Sequence, residues 1–125
     1  MDRDPESIGK HQLQKIQEIA EQYDVGTCVQ CALTIKAYLK YQNLPGRFIR
    51  LETLSPHGLQ GIICDDASNQ QIATNGFHEA IAIKVAGVTT VFDNLYPQGK
   101  PLEDWLKDFV VIPGNQLNIV RNEPF

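Results

Sequence analysis

Apolar residues in the first part of the chain recur at helical spacing. Leu13, Ile16, Ile19 and Tyr23 are separated mainly by Gln, Lys and Glu residues. This pattern predicts an amphipathic helix over about residues 7–23, with its apolar stripe facing a core.

A second helix is predicted to begin at Cys28. Thr27 and Gln30 have the spacing of a capping box, in which two side chains bond reciprocally to backbone N–H groups at a helix start. Apolar positions continue at helical spacing as far as Leu39, and the Leu-Pro-Gly sequence at residues 44–46 cannot extend a helix.

From residue 47 the pattern changes to short runs rich in β-branched and aromatic residues. Strands are predicted at residues 47–54, 61–64, 71–74, 77–85, 88–93 and 116–120, and a short helix at residues 101–109. Helices followed by a mostly antiparallel sheet make an α+β fold. With 125 residues, of which 42% are hydrophobic, the chain is expected to form one domain spanning residues 1–125.

Charge and apolar run length limit the classes of function. The net charge is -4 and no Lys/Arg run occurs, so nucleic acid is not expected as a partner. No apolar run approaches the roughly 18 residues of a membrane span, so no membrane partner is expected either. The N-terminus lacks the basic start and apolar stretch of a signal peptide, which favours a cytoplasmic location. Three cysteines without an export signal predict at least one free thiol.

Cys28 has the position of a nucleophile, because the partial positive charge of a helix N-terminus stabilises a thiolate. Cysteine is also among the most often buried residue types, so Cys28 and Cys31 fit equally well as small core residues. Their C-x-x-C spacing also suits a redox pair or half of a zinc site. His57 and Cys64 do not form a second zinc half-site, and redox pairs usually follow a strand of a βαβ unit. We therefore expect no metal and no cofactor, and an inert Cys64.

A cysteine nucleophile needs a base, and the base needs an orienting group. His11 and His57 lie among polar or turn-forming residues and are expected at the surface. His78 opens an apolar strand. It is therefore the candidate base, although a histidine at a strand end can also be purely structural.

A two-residue hairpin loop at residues 86–87 determines which acid accompanies this base. Side chains alternate along a strand, so this loop length places His78 and Asp93 on the same face of the sheet. Asn94 and Phe92 then point to the opposite face, where Phe92 is expected to pack under the late helix. A loop one residue longer or shorter reverses the choice, so Asp93 is the predicted orienting acid and Asn94 the reserve.

With these three residues the chain resembles the papain fold toxin 2 family, small bacterial cysteine-enzyme domains of polymorphic toxin systems. The resemblance is strongest over residues 22–105. It rests on CVQCA at residues 28–32, TNGFHEA at residues 74–80, FDNLYPQG at residues 92–99, and Trp105.

The resemblance implies a papain-like fold and a catalytic triad of Cys28, His78 and Asp93. In papain-like proteases a glutamine six residues before the cysteine donates to the oxyanion, and Gln22 stands at this spacing. Gln22 can equally be a solvated residue at the end of the first helix. A small residue four positions after the nucleophile lets its helix pack against the sheet, which favours Cys28 over Cys31 as the nucleophile.

The predicted function is that of a papain-like cysteine enzyme that acts on an amide through a thioester intermediate. Peptidase, glutamine deamidase and acyl transferase activities share this chemistry, and the family implies a toxin-type effector. The expected partners are a protein or peptide substrate and an immunity-type protein inhibitor, and an effector can be secreted by a route without a signal peptide. The alternatives are a non-catalytic protein-interaction domain on a papain-like frame and a thiol redox protein that uses the C-x-x-C motif.

Overall fold

The computed structural model describes residues 8–24, 26–54, 63–65, 70–73, 76–111 and 116–125. The elements in chain order are α1 (Lys10–Glu21), α2 (Cys28–Tyr41), β1 (Arg47–Leu54), β2 (Ile63–Asp65), β3 (Gln70–Ala73), β4 (Phe77–Val85), β5 (Val88–Phe92), β6 (Lys100–Pro101), α3 (Leu102–Lys107), β7 (Phe109–Val111) and β8 (Gln116–Pro124). His57, the side chain of Cys64, and residues 61–62 and 74 of the predicted strands lie outside the described part. No helix within the described ranges is long and apolar enough to cross a membrane.

The second helix begins at Cys28, as predicted, but the predicted capping box is wrong. The side chain of Thr27 makes no hydrogen bond to the helix start. Its Oγ1 instead donates to the carbonyl oxygen of Asp24 at 2.5 Å. The reason lies in the backbone, since the φ of -116° and ψ of 32° at Thr27 are not the extended conformation that normally aims a cap side chain into the first turn.

The strands are antiparallel, as predicted, but they form two sheets rather than one. The large sheet has the order β6-β5-β4-β1-β8, and the small sheet has the order β3-β2-β7. The pattern did not predict β6 and β7, which contain only two and three residues. Short strands depend on partners that are distant in sequence, so their local composition is a weak signal.

The β4–β5 hairpin has the predicted register, in which Val85 pairs with Val88. The two loop residues, Ala86 and Gly87, have φ values of 51° and 82°. Positive φ at both positions is the conformation of a type I′ turn, whose twist matches that of the flanking strands. The predicted even loop length is therefore confirmed.

The large sheet is buried on both faces. A helix-side cluster packs between the sheet and the two long helices, and a second cluster, here called the Trp105 cluster, lies on the opposite face. The buried residues of the helix-side cluster are Ile16, Ile19, Ala20, Cys31, Ala32, Ile35, Leu39, Phe48, Ile81, Ile83 and Phe92. Those of the Trp105 cluster are Ile49, Leu51, Ile63, Ala80, Ala82, Val91, Trp105 and Phe109.

Phe92 points away from the face of His78, as alternation requires, but its expected packing under the late helix is wrong. Phe92 belongs to the helix-side cluster, whereas Trp105 of the late helix α3 lies in the opposite cluster. Period-two alternation assigned relative faces correctly. It carried no information about which face each helix covers.

A glycine in the β5–β6 connection allows a close approach to Phe92. Gly99 has a φ of +91°, and a Cβ at this position would lie 2.6 Å from the Phe92 ring. We expect Gly99→Ala to lower the free energy of unfolding by about 3 kcal/mol, through left-handed strain and displacement of the ring.

Gly87→Ala is the matched control, because its φ is +82° but nothing lies within 4 Å of the added Cβ. This variant should lose only about 1 kcal/mol, from strain alone. Urea unfolding of both variants measures the difference. Equal losses would show that the Phe92 ring moves aside without cost.

Candidate active site

Asp93 follows β5 directly and is 1% exposed. Its Oδ2 accepts hydrogen bonds from His78 Nε2 and Trp105 Nε1, both at 2.8 Å. Its Oδ1 accepts the backbone N–H groups of Leu95 at 3.0 Å and Tyr96 at 2.7 Å. Burial of a carboxylate is costly unless its oxygens are hydrogen-bonded, and these four donors satisfy both oxygens.

His78 is the second residue of β4 and is fully buried. Its ring packs beside Trp105 and Phe109, with centroid distances of 6.0 and 5.5 Å. Because Nε2 bonds to Asp93, Nδ1 is the nitrogen left for another group. Nδ1 is buried and has no hydrogen-bond partner in the described part of the chain.

The thiol of Cys28 is one of the groups that raise the pKa of this imidazole. Burial alone lowers the pKa of His78, but hydrogen bonding to Asp93 and Cys28, together with the charges of both groups, outweighs burial and raises the pKa from 6.5 to about 9. Cys28 acts on the ring although Nδ1 has no hydrogen-bond partner of strict geometry in the described part of the chain. Contacts of this kind are often long without substrate and tighten when substrate binds.

The two described cysteines have different surroundings. Cys28 is the first residue of α2 and is 7% exposed, whereas Cys31 is fully buried in the helix-side cluster. Burial, with smaller contributions from the charges of Asp93 and Cys28, raises the pKa of the Cys31 thiol to about 12. Cys31 is therefore a protonated core residue near neutral pH.

The remaining predicted residues are not among the hydrogen-bond partners of the Asp93 carboxylate. Gln22 is the exposed C-cap of α1, and its side chain forms no hydrogen bond to any described residue. The hydrogen-bond partner of His78 is Asp93 and not Asn94, whose Nδ2 donates to the carbonyl oxygen of Asp24 at 2.8 Å. His11 is exposed, as predicted.

Trp105 is the residue whose role the sequence analysis missed. It is fully buried on α3, and its indole N–H bonds to the same carboxylate oxygen as His78. A buried tryptophan N–H usually finds a hydrogen-bond partner. The single Trp of the chain was therefore a usable signal, but only the tertiary structure shows that its partner is Asp93.

The described residues contain no group of three or more His, Cys, Asp or Glu side chains that could hold a metal ion. They do form a cavity of about 270 Å³, lined by residues that include Arg47, Ala82 and Lys84. This cavity lies at the end of β4 opposite to His78, so it does not include the cysteine and histidine.

Comparison with known proteins agrees with this arrangement of helices and sheet. The family model described as "Papain fold toxin 2" matches residues 11–110. The chain belongs to the papain fold toxin 2 family. The match extends the resemblance seen in the sequence to include α1, and the α+β architecture is consistent with a papain-like fold. No curated protein and no solved structure was found to match the chain.

The hydrogen bond from Trp105 to Asp93 should contribute to the stability of this papain fold domain. Trp105→Phe removes the donor to a buried carboxylate, and we expect the free energy of unfolding to fall by about 3 kcal/mol. Phe109→Leu changes the same ring cluster without removing a hydrogen bond, so it should cost only about 1 kcal/mol. Equal losses in chemical unfolding would show that the indole N–H contributes nothing.

The raised pKa of His78 should couple stability to pH. Folded His78 keeps a proton that the unfolded chain releases above pH 6.5, so its contribution is complete below 6.5 and lost as the pH rises through about 9. The measurement uses Cys28→Ser, in which Asp93 is left as the group that raises the pKa of His78. Because the contribution of Cys28 is then absent, we expect the free energy of unfolding to fall by less than about 3 kcal/mol more across the window than that of Cys28→Ser/His78→Asn. Parallel pH profiles of the two variants would contradict the raised pKa.

Proposed function

We propose that the protein is a cysteine enzyme in which Cys28 is the nucleophile, His78 the general base and Asp93 the orienting acid. The observation that carries the proposal is the 2.8 Å hydrogen bond between His78 Nε2 and Asp93 Oδ2, with both side chains buried. This bond fixes the ring so that Nδ1 is free to exchange a proton with the thiol at the start of α2.

The reaction that this geometry supports is acyl transfer. His78 takes the thiol proton of Cys28 at Nδ1, and the thiolate attacks the carbonyl carbon of an amide. The tetrahedral intermediate breaks its C–N bond, and the imidazolium returns the proton to the leaving amine. Water then attacks the thioester carbonyl and gives a proton to His78. The second tetrahedral intermediate then breaks its C–S bond and releases the carboxylic acid. The imidazolium of His78 returns its proton to the sulfur of Cys28 and so restores the thiol.

The proposed substrate is a protein or a peptide, attacked at a backbone amide or at a side-chain carboxamide. Peptidase, deamidase and acyl-transferase activities share the steps above and differ in which amide, and which final acceptor, reaches the thioester. We propose Gln22 as the oxyanion donor, because its side chain is exposed and not engaged by described residues. Loss of such a donor typically costs about 3 kcal/mol of transition-state stabilisation.

Membership in a toxin family supports a role as an effector. On this proposal the domain acts in a cytoplasm and is held inactive by an immunity-type protein inhibitor in the cell that makes it. A bound inhibitor of this kind would have to cover the approach to Cys28, because the thiol is the group that attacks the substrate.

The surroundings of Cys31 favour acyl transfer over thiol redox chemistry. A redox dithiol needs its second sulfur to form a bond with the first, and a thiolate is the reactive form. Cys31 is fully buried, and its pKa is raised to about 12. It is therefore a poor partner for disulfide exchange, whereas Cys28 faces a base.

Alkylation of the intact chain at pH 6 tests the proposed nucleophile. Iodoacetamide should modify Cys28 rapidly and selectively, because the proposed pairing with His78 activates this thiol as a nucleophile. His78→Ala should slow this modification by about tenfold or more. Peptide mapping by mass spectrometry identifies the modified cysteine and gives its rate.

Cys31→Ser is the control, since the core thiol should not be needed for the reactivity of Cys28. If Cys31→Ser abolished rapid labelling, the two cysteines would act as a redox pair. If all cysteines reacted slowly and alike in the unchanged chain, the papain-like frame would serve as a protein-interaction domain and not as an enzyme.

A further inference from the structure

Asn94 directly follows Asp93, but its side chain turns to the other half of the site. Asn94 Nδ2 donates to the carbonyl oxygen of Asp24 at 2.8 Å. The same carbonyl oxygen accepts the backbone N–H of Thr27 at 3.2 Å and the Thr27 hydroxyl at 2.5 Å. Three donors therefore converge on one backbone oxygen in the turn that precedes α2.

This turn leads directly into the proposed nucleophile. The hydrogen bond from Thr27 to Asp24 closes the turn, and Gly26 adopts a φ of +91° within it. Cys28 is the next residue and the first of the helix. Because no residue separates the turn from Cys28, a shift of the turn would move the sulfur as well.

Stability alone does not explain an asparagine at this position. Its Oδ1 is buried and has no hydrogen-bond partner in the described part of the structure. A buried acceptor without a partner is unfavourable. The side chain is thus useful here for its single donated bond, which spans 70 residues of sequence between the two halves of the fold.

We propose that Asn94 is a positioning residue that holds Cys28 against His78 by fixing the hydrogen-bonded pair Asp24 and Thr27 in front of α2. This inference rests on the proposed function. Asp93 bonds to the base through Oδ2, whereas Asn94 bonds through Nδ2 to the turn that leads into the nucleophile. One dipeptide therefore links the two halves of the site.

The approach of the thiol to His78 is sensitive to such positioning, because Nδ1 is buried and has no hydrogen-bond partner in the described part of the chain. A displacement of about 1 Å at a reacting group can cost about a hundredfold in rate. Loosening of the turn should therefore reduce reactivity well before it affects the fold.

The test compares Asn94→Ala and Asn94→Asp, which both remove the donor; the aspartate keeps the shape of the side chain. Alkylation of Cys28 by iodoacetamide is measured at pH 6 and at pH 10 in the full chain. We expect both variants to react about tenfold more slowly at pH 6. We expect less than about a twofold change at pH 10, where ordinary thiols ionise without help from an imidazole.

Gln98→Ala is the matched control, because Gln98 Nε2 also joins the β5–β6 connection to α1, through Glu21 Oε1 at 2.7 Å, without contacting the turn. It should leave both rates unchanged. Labelling of the buried Cys31 reports loss of the fold and should stay absent in every variant.

The labelling rates decide whether Asn94 positions Cys28. The inference would be overturned if both Asn94 variants were alkylated at Cys28 at the unchanged rate at pH 6, or if Gln98→Ala slowed the reaction equally. Rapid labelling of the unchanged chain would still support the proposed function in either case. Labelling of Cys31 in both Asn94 variants would also overturn it, because Asn94 would then support the fold and not the site. No rapid labelling of Cys28 in the unchanged chain would remove the proposed function and this inference together.

Discussion

The carboxylate of Asp93 receives hydrogen bonds from two sets of donors, one for each oxygen. Backbone N–H groups of residues 95 and 96 bind Oδ1, and two ring N–H groups bind Oδ2. The first set fixes the carboxylate to its own loop. The second set connects β4 to α3, because His78 and Trp105 bond to the same carboxylate oxygen. Because burial of a charge without partners costs several kcal/mol, no alternative packing that separates these groups is favourable.

The imidazole of His78 depends on this arrangement for both its orientation and its charge. Full burial would otherwise favour the neutral ring, yet the hydrogen bonds and charges of Asp93 and Cys28 together raise the pKa. The aromatic rings of Trp105 and Phe109 exclude solvent on this side of the sheet. A low-polarity environment strengthens the remaining electrostatic contacts, so the same burial that penalises the charge also increases the effect of its partners.

Burial of the large sheet on both faces explains how so short a chain brings a helix and a sheet residue together. The helix-side cluster fixes α2 against β4 through Cys31, Ile35 and Leu39. The Trp105 cluster fixes the ring and carboxylate on the opposite face. In this chain, a member of the papain fold toxin 2 family, the two long helices precede the large sheet in sequence.

The local pattern of the sequence was sufficient for the elements and for the pairing of His78 with Asp93. Helical spacing, the Leu-Pro-Gly stop and the two-residue loop at Ala86 and Gly87 are short-range features, because each depends on neighbours within a few residues. Parity along the hairpin then placed the histidine and the acid on one face, and their side chains are in hydrogen-bond contact.

Tertiary structure alone decided what surrounds that pair. The face on which Phe92 packs and the two short strands depend on contacts with other parts of the chain. The capping box failed for a local reason, because the backbone at Thr27 turns its hydroxyl to Asp24. The bonds of Trp105 to Asp93 and of Asn94 to Asp24 join residues 12 and 70 positions apart. Alternation states which way a side chain points, but the partner it meets is determined by how the helices pack on the two faces of the sheet.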